Sequence, residues 1–375
     1  MHKVYIFLLL ISIAACSPTE VVQSGPDSPS IIVAYVYGSS PIKAEEINAQ
    51  QITHINYAFA DIVNNELSGY LPYDDQNYRE LQKLKQQNPD LKILISVGGW
   101  GKSNGFSDAA IRQSSRDSFV RSAMEYVEHY QIDGVDIDWE YPAQAGAGNI
   151  HRPEDKQNFT FLLRDLRAGL DSLEMVNQRD YLLTIASAAG QRYLSLTELD
   201  IAHQYLDFIN IMSYDFSGSW SDTTAHHANL YPSSSGYSAR MSAAQSVEWH
   251  QLAGVPKEKL VLGIPFFGRE WFGVDNLGNG LHQKAVSGGG GVSFPEIMQY
   301  MDQEGYQRHW DEAAQVPYLW NPIKKAFVTY EDPQSIQAKA AFIQKEGLAG
   351  AMFWKYRSDT TQTLISALSQ NLYPQ

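Results

Sequence analysis

The stretch DGVDIDWEYP, residues 133–142, alternates Asp136, Asp138 and Glu140 with Val135, Ile137 and Trp139. Residues two apart share a face of a β-strand, so three carboxyls line one side and three apolar groups the other. Asp133 is out of phase and is read as fixing the loop that enters the strand. Carboxylates spaced by two residues stand roughly 6–7 Å apart. At an effective dielectric of about 20, two ionised ones repel by about 2.5 kcal/mol. Stability alone does not favour such a row. It persists where protons are shared, and sharing raises the pKa of at least one member. A carboxylic acid still protonated near neutral pH is what general acid catalysis needs. A calcium loop fails on spacing: counted from Asp136, the glycine position holds Tyr141 and the closing acidic position holds Ala147. An exposed acidic ribbon is at odds with Ile137 and Trp139.

Outward from this stretch, short β-rich runs alternate with segments of helical period. Strands are predicted at IIVAYVY (31–37), ITHINYAFA (52–60), LKILISV (91–97), GVDIDWE (134–140), YLLTIASA (181–188), YLDFINIMSYD (205–215), KLVLGIPFF (259–267) and GLAGAMFW (347–354). Helix-like stretches such as QSSRDSFVRSAMEYVEHY and PQSIQAKAAFIQKEG lie between most of them. The alternation predicts an α/β fold, a (β/α)8 TIM barrel. In it the apolar side of the 134–140 strand faces the helices and the acidic side faces the axis. Glu140 then sits at the C-terminal end, where barrel active sites are built. A doubly wound sheet is the runner-up, but no glycine-rich phosphate turn follows the first strand. GGGG at 288–291 lacks the Lys-Ser/Thr of a P-loop and is expected to be a flexible loop. The gap between strands seven and eight is too long for one helix. Its aromatic, turn-rich sequence predicts a small α+β insertion at about 270–326 on the barrel rim.

The chain of 375 residues is 44% hydrophobic, enough for a sizeable core, and its formal net charge is −14. No basic stripe is present to neutralise phosphates, so nucleic acid is not an expected partner. The N-terminal MHKVYIFLLLISIAAC pairs one Lys with an apolar run too short to span a bilayer as a finished helix. It reads as a signal peptide, residues 1–15. Its end, Ile13-Ala14-Ala15-Cys16, resembles the bacterial lipobox, in which the cysteine is lipid-modified after cleavage; an ordinary signal peptide with an incidental Cys is the alternative. Cys16 is the only cysteine, so disulfides play no part in the stability of the exported chain. Residues 16–30 read as a disordered tether, and residues 31–375 as the folded barrel.

DGVDIDWE resembles the Asp-x-x-Asp-x-Asp-x-Glu signature of family-18 glycoside hydrolases, the chitinases. SVGGW (96–100) is similar to that family's third-strand motif, MSYDFSGSW (212–220) to its sixth, LGIPFFGR (262–269) to its seventh and GAMFW (350–354) to its eighth. HINYAFA and HHANLY (226–231) fit as well, and the resemblance covers Ile31 to the C-terminus. It implies a retaining hydrolase whose nucleophile is the substrate's own 2-acetamido group. On that reading Glu140 protonates the glycosidic oxygen and later activates water. Asp138 holds the acetamido N–H and stabilises the oxazolinium intermediate, while Asp136 shares a proton or hydrogen bond with Asp138. The Tyr214 phenol aims the acetamido oxygen, and Met212, Ser213 and Asp215 belong to the motif around the same sugar. No cofactor and no metal are implied.

A glycan cleft also needs aromatic faces. By the same resemblance Trp354 floors the subsite of the distorted sugar, Trp100 and Trp220 stack sugars on the leaving-group side, and Tyr141 and Arg269 line the cleft. Gly98 and Gly99 either let the chain pass close to the sugar or simply make a turn. Trp139 and Trp249 are assigned to the core. His226 and His227 are read as packed loop residues, since no His-Glu-x-x-His motif accompanies them. Two positions depart from the common pattern: Phe267 stands where Tyr is frequent, and Lys355 where an acidic residue is frequent. The expected partners are chitin or chitin oligosaccharides, with membrane contact only through a lipid at Cys16, a cell-envelope location and a monomeric state. The rival readings are an endo-β-N-acetylglucosaminidase acting on N-glycans and a non-catalytic chitin-binding lectin.

Overall fold

The computed structural model describes residues 30–69, 72–234 and 240–373. The signal peptide, Cys16 and all of the tether but Ser30 lie outside the described residues. The eight predicted strands form at β1 (Ile31–Tyr37), β2 (His54–Val63), β3 (Lys92–Gly98), β4 (Gly134–Asp138), β5 (Leu182–Ala188), β6 (Phe208–Met212), β7 (Leu260–Pro265) and β8 (Gly350–Trp354). Each pairs in parallel with its neighbours in sequence order. The ring closes where Ile31 meets Gly350 and Ala34 meets Phe353. This is a closed (β/α)8 barrel. Parallel strands need both faces covered, and the sequence supplies the outer cover. Val135, Ile137 and Trp139 of the β4 region are buried. The Trp139 ring stacks on Phe106 at 5.1 Å and meets the edge of Phe159 at 5.6 Å. Trp249 lies half-buried on the helix Ala243–Leu252.

Helix ends follow local chemistry. Asp332 accepts hydrogen bonds from the N–H groups of Gln334 and Ser335, Pro333 opens the helix Pro333–Glu346, and Gly347 closes it in the left-handed conformation. The Asp133 carboxylate accepts from Ile93 N–H and from Lys85 and Arg179, which pins the entry to β4 from the barrel's N-terminal side.

Several boundaries differ from expectation: the runs 134–140, 205–215 and 347–354 shorten to β4, β6 and β8. The run 259–267 is two strands: β7 stops at Pro265, Phe266 N–H donates to the Trp354 carbonyl, and Phe267 begins the rim insertion. That insertion is a five-stranded antiparallel sheet of Phe267–Phe272, Ser287–Ser293, Gln307–Asp311, Val316–Asn321 and Ala326–Thr329, with the helix Phe294–Met301. It therefore reaches a few residues beyond 270–326 at both ends. The glycines at 288–291 are not a loop but part of the strand Ser287–Ser293, with a bulge between Gly288 and Gly291. A Cβ on Gly288 would lie 2.3 Å from Ser219 Cα, so only glycine lets this strand close against the loop that carries Trp220.

An ion pair with no solvent exposure, Lys339–Glu331, joins the exit of the insertion to the helix Pro333–Glu346. The Lys339 ammonium also donates to the Ala228 carbonyl at 2.7 Å. Removing one partner leaves a bare buried charge. Lys339→Met is therefore expected to destabilise the fold by about 3–5 kcal/mol, and adding Glu331→Leu to restore most of the loss; shifts in denaturation midpoint measure both.

Candidate active site

The inward face of β4 carries the acidic row. Asp136 is fully buried, and every acceptor position is taken by a different strand. Its Oδ2 accepts from Tyr35 Oη at 2.7 Å and Ser96 Oγ at 2.7 Å; its Oδ1 accepts from Thr184 Oγ1 at 2.6 Å and, more weakly, Asn210 Nδ2 at 3.4 Å. Burial raises the Asp136 pKa, and these four bonds pull against it without cancelling it. Asp136 thus takes hydrogen bonds from β1, β3, β5 and β6. Asp138 Oδ1 is buried and has no partner among the described residues. Burial, then the charges of Glu140 and Asp136, push its pKa well above the usual range.

Glu140 lies two residues past the end of β4, still buried, with its backbone N–H donating to Ser103 Oγ at 2.9 Å. Burial lifts its carboxyl pKa to about 7; the Tyr141 hydroxyl works against that and the Asp215 charge adds to it. Burial and the Asp138, Asp215 and Glu140 charges, in that order, keep the Tyr214 phenol protonated. Its hydroxyl donates to Met352 Sδ at 4.0 Å. Glu140, Asp138 and the Tyr214 phenol thus lie close enough for their charges to act on one another.

Asp215 adopts φ 57°, a conformation Asp tolerates better than most residues. Arg269 clamps it with two bonds of 2.9 and 2.7 Å. Burial would raise its pKa, but His227 and Arg269 outweigh that and hold it low. The Arg269 fork does most of this, since His227 Nδ1 stands 3.6 Å away, past hydrogen-bond length. The Arg269 guanidinium also lies over the rings of Trp220 and Phe267. Phe267 in turn meets Tyr214 edge-on at 6.1 Å. His226 is buried with Nε2 3.1 Å from Asp311. Among the described residues no cluster of three His, Cys, Asp or Glu side chains could hold a metal ion.

Aromatic rings surround the carboxyls. Trp354 stacks on Phe59 at 5.4 Å and 19°, with Tyr35 and Tyr37 beside it. Trp100 and Trp220 are 58% and 62% exposed, unusual for tryptophan without a ligand or partner to cover it. Tyr141 bridges Trp100 and Tyr193. Met212 is half-buried in the barrel mouth against the Trp354 cluster. Three candidates have reasons internal to the protein. Gly98 and Gly99 have φ of 104° and 78°, and Cβ atoms there would meet Asp138 O at 2.3 Å and the Phe59 ring at 2.7 Å. The turn explains them without a ligand. The Ser213 hydroxyl is buried and donates to the Gly263 carbonyl at 2.8 Å, so its side chain does not face the cleft.

The donors that hold Asp136, namely Tyr35, Ser96, Thr184 and Asn210, are not among the residues the motifs single out. A signal existed: each is a polar residue in a strand whose neighbours are apolar.

Residues 31–359 match the family described as glycosyl hydrolases family 18. Chitinase A1 of Niallia circulans is 39% identical over 388 residues; the match covers 87% of this chain and 56% of that protein. The chain thus spans little more than half of that relative's length. Chitotriosidase-1 of Mus musculus is 32% identical, with 87% and 73% covered. Among solved structures, a family 18 N-acetylglucosaminidase from Paenibacillus barengoltzii superposes with a TM-score of 0.85 at 41% identity, covering 91% of this chain and 99% of that one.

The electrostatics yield a measurable outcome. Carboxyl-carbon NMR is expected to show Glu140 titrating near pH 7, the protonated form persisting below that value. Asp215→Asn removes a charge that raises this pKa, so the midpoint is expected to fall. An unchanged midpoint would remove Asp215 from the tuning of Glu140.

Proposed function

The chain belongs to the glycosyl hydrolases of family 18, and on that footing we propose that it is a chitinase. It cleaves β-1,4 linkages between N-acetylglucosamine units with retention of configuration, the 2-acetamido group of the substrate acting as nucleophile. The observation that carries this reading is the buried Glu140, its pKa lifted to about 7, next to Asp138 with a free oxygen. Glu140 gives its proton to the glycosidic oxygen as the bond to C1 breaks. The acetamido oxygen attacks C1 from the opposite face, and its N–H is taken up by Asp138 Oδ1. The positive charge of the oxazolinium develops beside Asp138 and is stabilised there in a low-dielectric pocket. Tyr214 donates to the acetamido oxygen and aims it, and Asp215, held by Arg269, contacts the same sugar. Glu140, now a carboxylate, takes a proton from water, which opens the ring at C1. Two inversions give net retention. Trp354 would floor the reacting sugar, with Trp100 and Trp220 stacking the leaving part of the chain.

The same carboxyls would serve the removal of single N-acetylglucosamine units, the activity named for the Paenibacillus barengoltzii relative. They would also serve the release of N-glycans from glycoproteins. Products from end-labelled chitin oligosaccharides, set beside glycan release from a glycoprotein, separate the three. Glu140→Gln is expected to lower turnover by roughly 10²–10⁴-fold while oligosaccharide binding stays nearly intact. Near-wild-type hydrolysis in that variant would take the acid role away from Glu140.

We further propose that a lipid on Cys16 holds the enzyme at the cell envelope. No helix among the described residues is long and apolar enough to cross a membrane. Cys16→Ala is expected to move the protein from the detergent to the aqueous phase on partitioning. Equal partitioning of variant and wild type contradicts the anchor.

A further inference from the structure

The end of the barrel away from the catalytic mouth carries apolar side chains that no other described residue covers. Glu174 Oε1 accepts the N–H of Tyr181, the residue before β5, at 3.0 Å. The last turn of the helix Asp155–Asn177 therefore projects past the strand entry, and its Met175 and Val176 are 80% and 75% exposed. Leu252, which ends the helix Ala243–Leu252 ahead of β7, is 78% exposed. A Cβ on nearby Gly254 would stand 3.0 Å from Asp200 Cβ, which places the end of that helix beside the exposed Ile201. These residues sit on neighbouring helices, those that lead into β5, β6 and β7. A single apolar residue on a surface is ordinary, but several at one end mark a contact face.

Two further observations say what that contact is. Ile31 opens β1 at this same end, where the Tyr373 hydroxyl donates to the Ser30 carbonyl. Cys16 lies fourteen residues before Ser30, a span of at most about 50 Å. Charge is the second. The whole chain carries −14. Yet the segments 85–92, 131–134, 178–182, 203–208 and 253–260, which enter β3 to β7, hold five Lys or Arg and five Asp or Glu, which cancel. Anionic headgroups repel acidic surfaces, so this neutral end meets them with the least repulsion.

Resting on the lipid at Cys16, we infer that this end of the barrel is a membrane-facing surface: Met175, Val176 and Leu252 enter the headgroup layer of the bilayer that holds the lipid. Lipid and side chains act together, since each removes apolar area from water. The strands run away from the bilayer, so Glu140 and the exposed Trp100 and Trp220 open to the opposite side. A long polymer then reaches the cleft without meeting the membrane.

Cys16 is the only cysteine and the lipid occupies it, so introduced thiols can be labelled one at a time. Full-length Val176→Cys, Leu252→Cys and Ile323→Cys proteins, each carrying a fluorescent dye, are bound to phosphatidylethanolamine–phosphatidylglycerol vesicles with a nitroxide on the headgroup. Ile323 is the control: it is apolar and 71% exposed but lies on the rim insertion. Labels at 176 and 252 are expected to be quenched several-fold more than the label at 323. In a Gln178→Cys protein, adding Met175→Gln, Val176→Gln and Leu252→Gln should lower quenching to the level at 323, with hydrolysis of soluble chitin oligosaccharides unchanged. Equal quenching at 176, 252 and 323 overturns the membrane face, as does quenching at 178 that survives the three replacements. So does a dimer of the Cys16→Ala protein that those replacements dissociate, because the face then belongs to a second copy. In the Cys16→Ala background the quenching is expected to vanish. Quenching that persists there supports the face and speaks against the anchor, and failure to bind vesicles in either background sinks both.

Discussion

One carboxylate, Asp136, is held by hydrogen bonds from four strands other than its own: Tyr35 from β1, Ser96 from β3, Thr184 from β5 and Asn210 from β6. A buried ionisable group without such partners costs several kcal/mol. These donors meet at one point only when the barrel is closed and in register. The fold and the site are thus tied by the same contacts. A one-residue slip in the β4 register would turn the acidic row toward the helices and Trp139 toward the axis.

From that anchor the row grows more reactive toward the mouth. Asp136 is saturated with donors, Asp138 has one oxygen to spare, and Glu140 has left the strand and retains its proton to about pH 7. The gradient arises because hydrogen-bond donors are dense on the barrel axis and sparse at its rim, whereas burial persists throughout. Asp215 has the opposite environment: the Arg269 fork keeps it ionised, and its fixed negative charge helps to keep the proton on Glu140. Two carboxyls at one mouth are thereby held in different protonation states, the arrangement acid–base catalysis requires.

The rim supplies what the barrel cannot. β7 ends at Pro265 and the chain runs directly into the insertion sheet, so Phe267 and Arg269 reach the site from the first strand of that sheet. The glycine strand 287–293 lets the sheet lie against Ser219, next to Trp220. Exposed Trp100 and Trp220 and the stacked pair of Trp354 and Phe59 add aromatic faces around the carboxyls.

The sequence by itself determined the eight strands, the alternation of Asp136, Asp138 and Glu140 with Val135, Ile137 and Trp139, and the presence of a rim insertion. Periodicity and capping are properties of neighbouring residues, and backbone geometry turns them into faces directly. Only the tertiary structure decided that Asp136 bonds Tyr35, 101 residues away, and that Arg269 reaches back 54 residues to Asp215. It also made GGGG a strand, and gave Gly98, Gly99 and Ser213 duties inside the protein. Those outcomes depend on which distant groups approach and how much water they exclude. Neither quantity is carried by local spacing; both are set when the ring of strands closes.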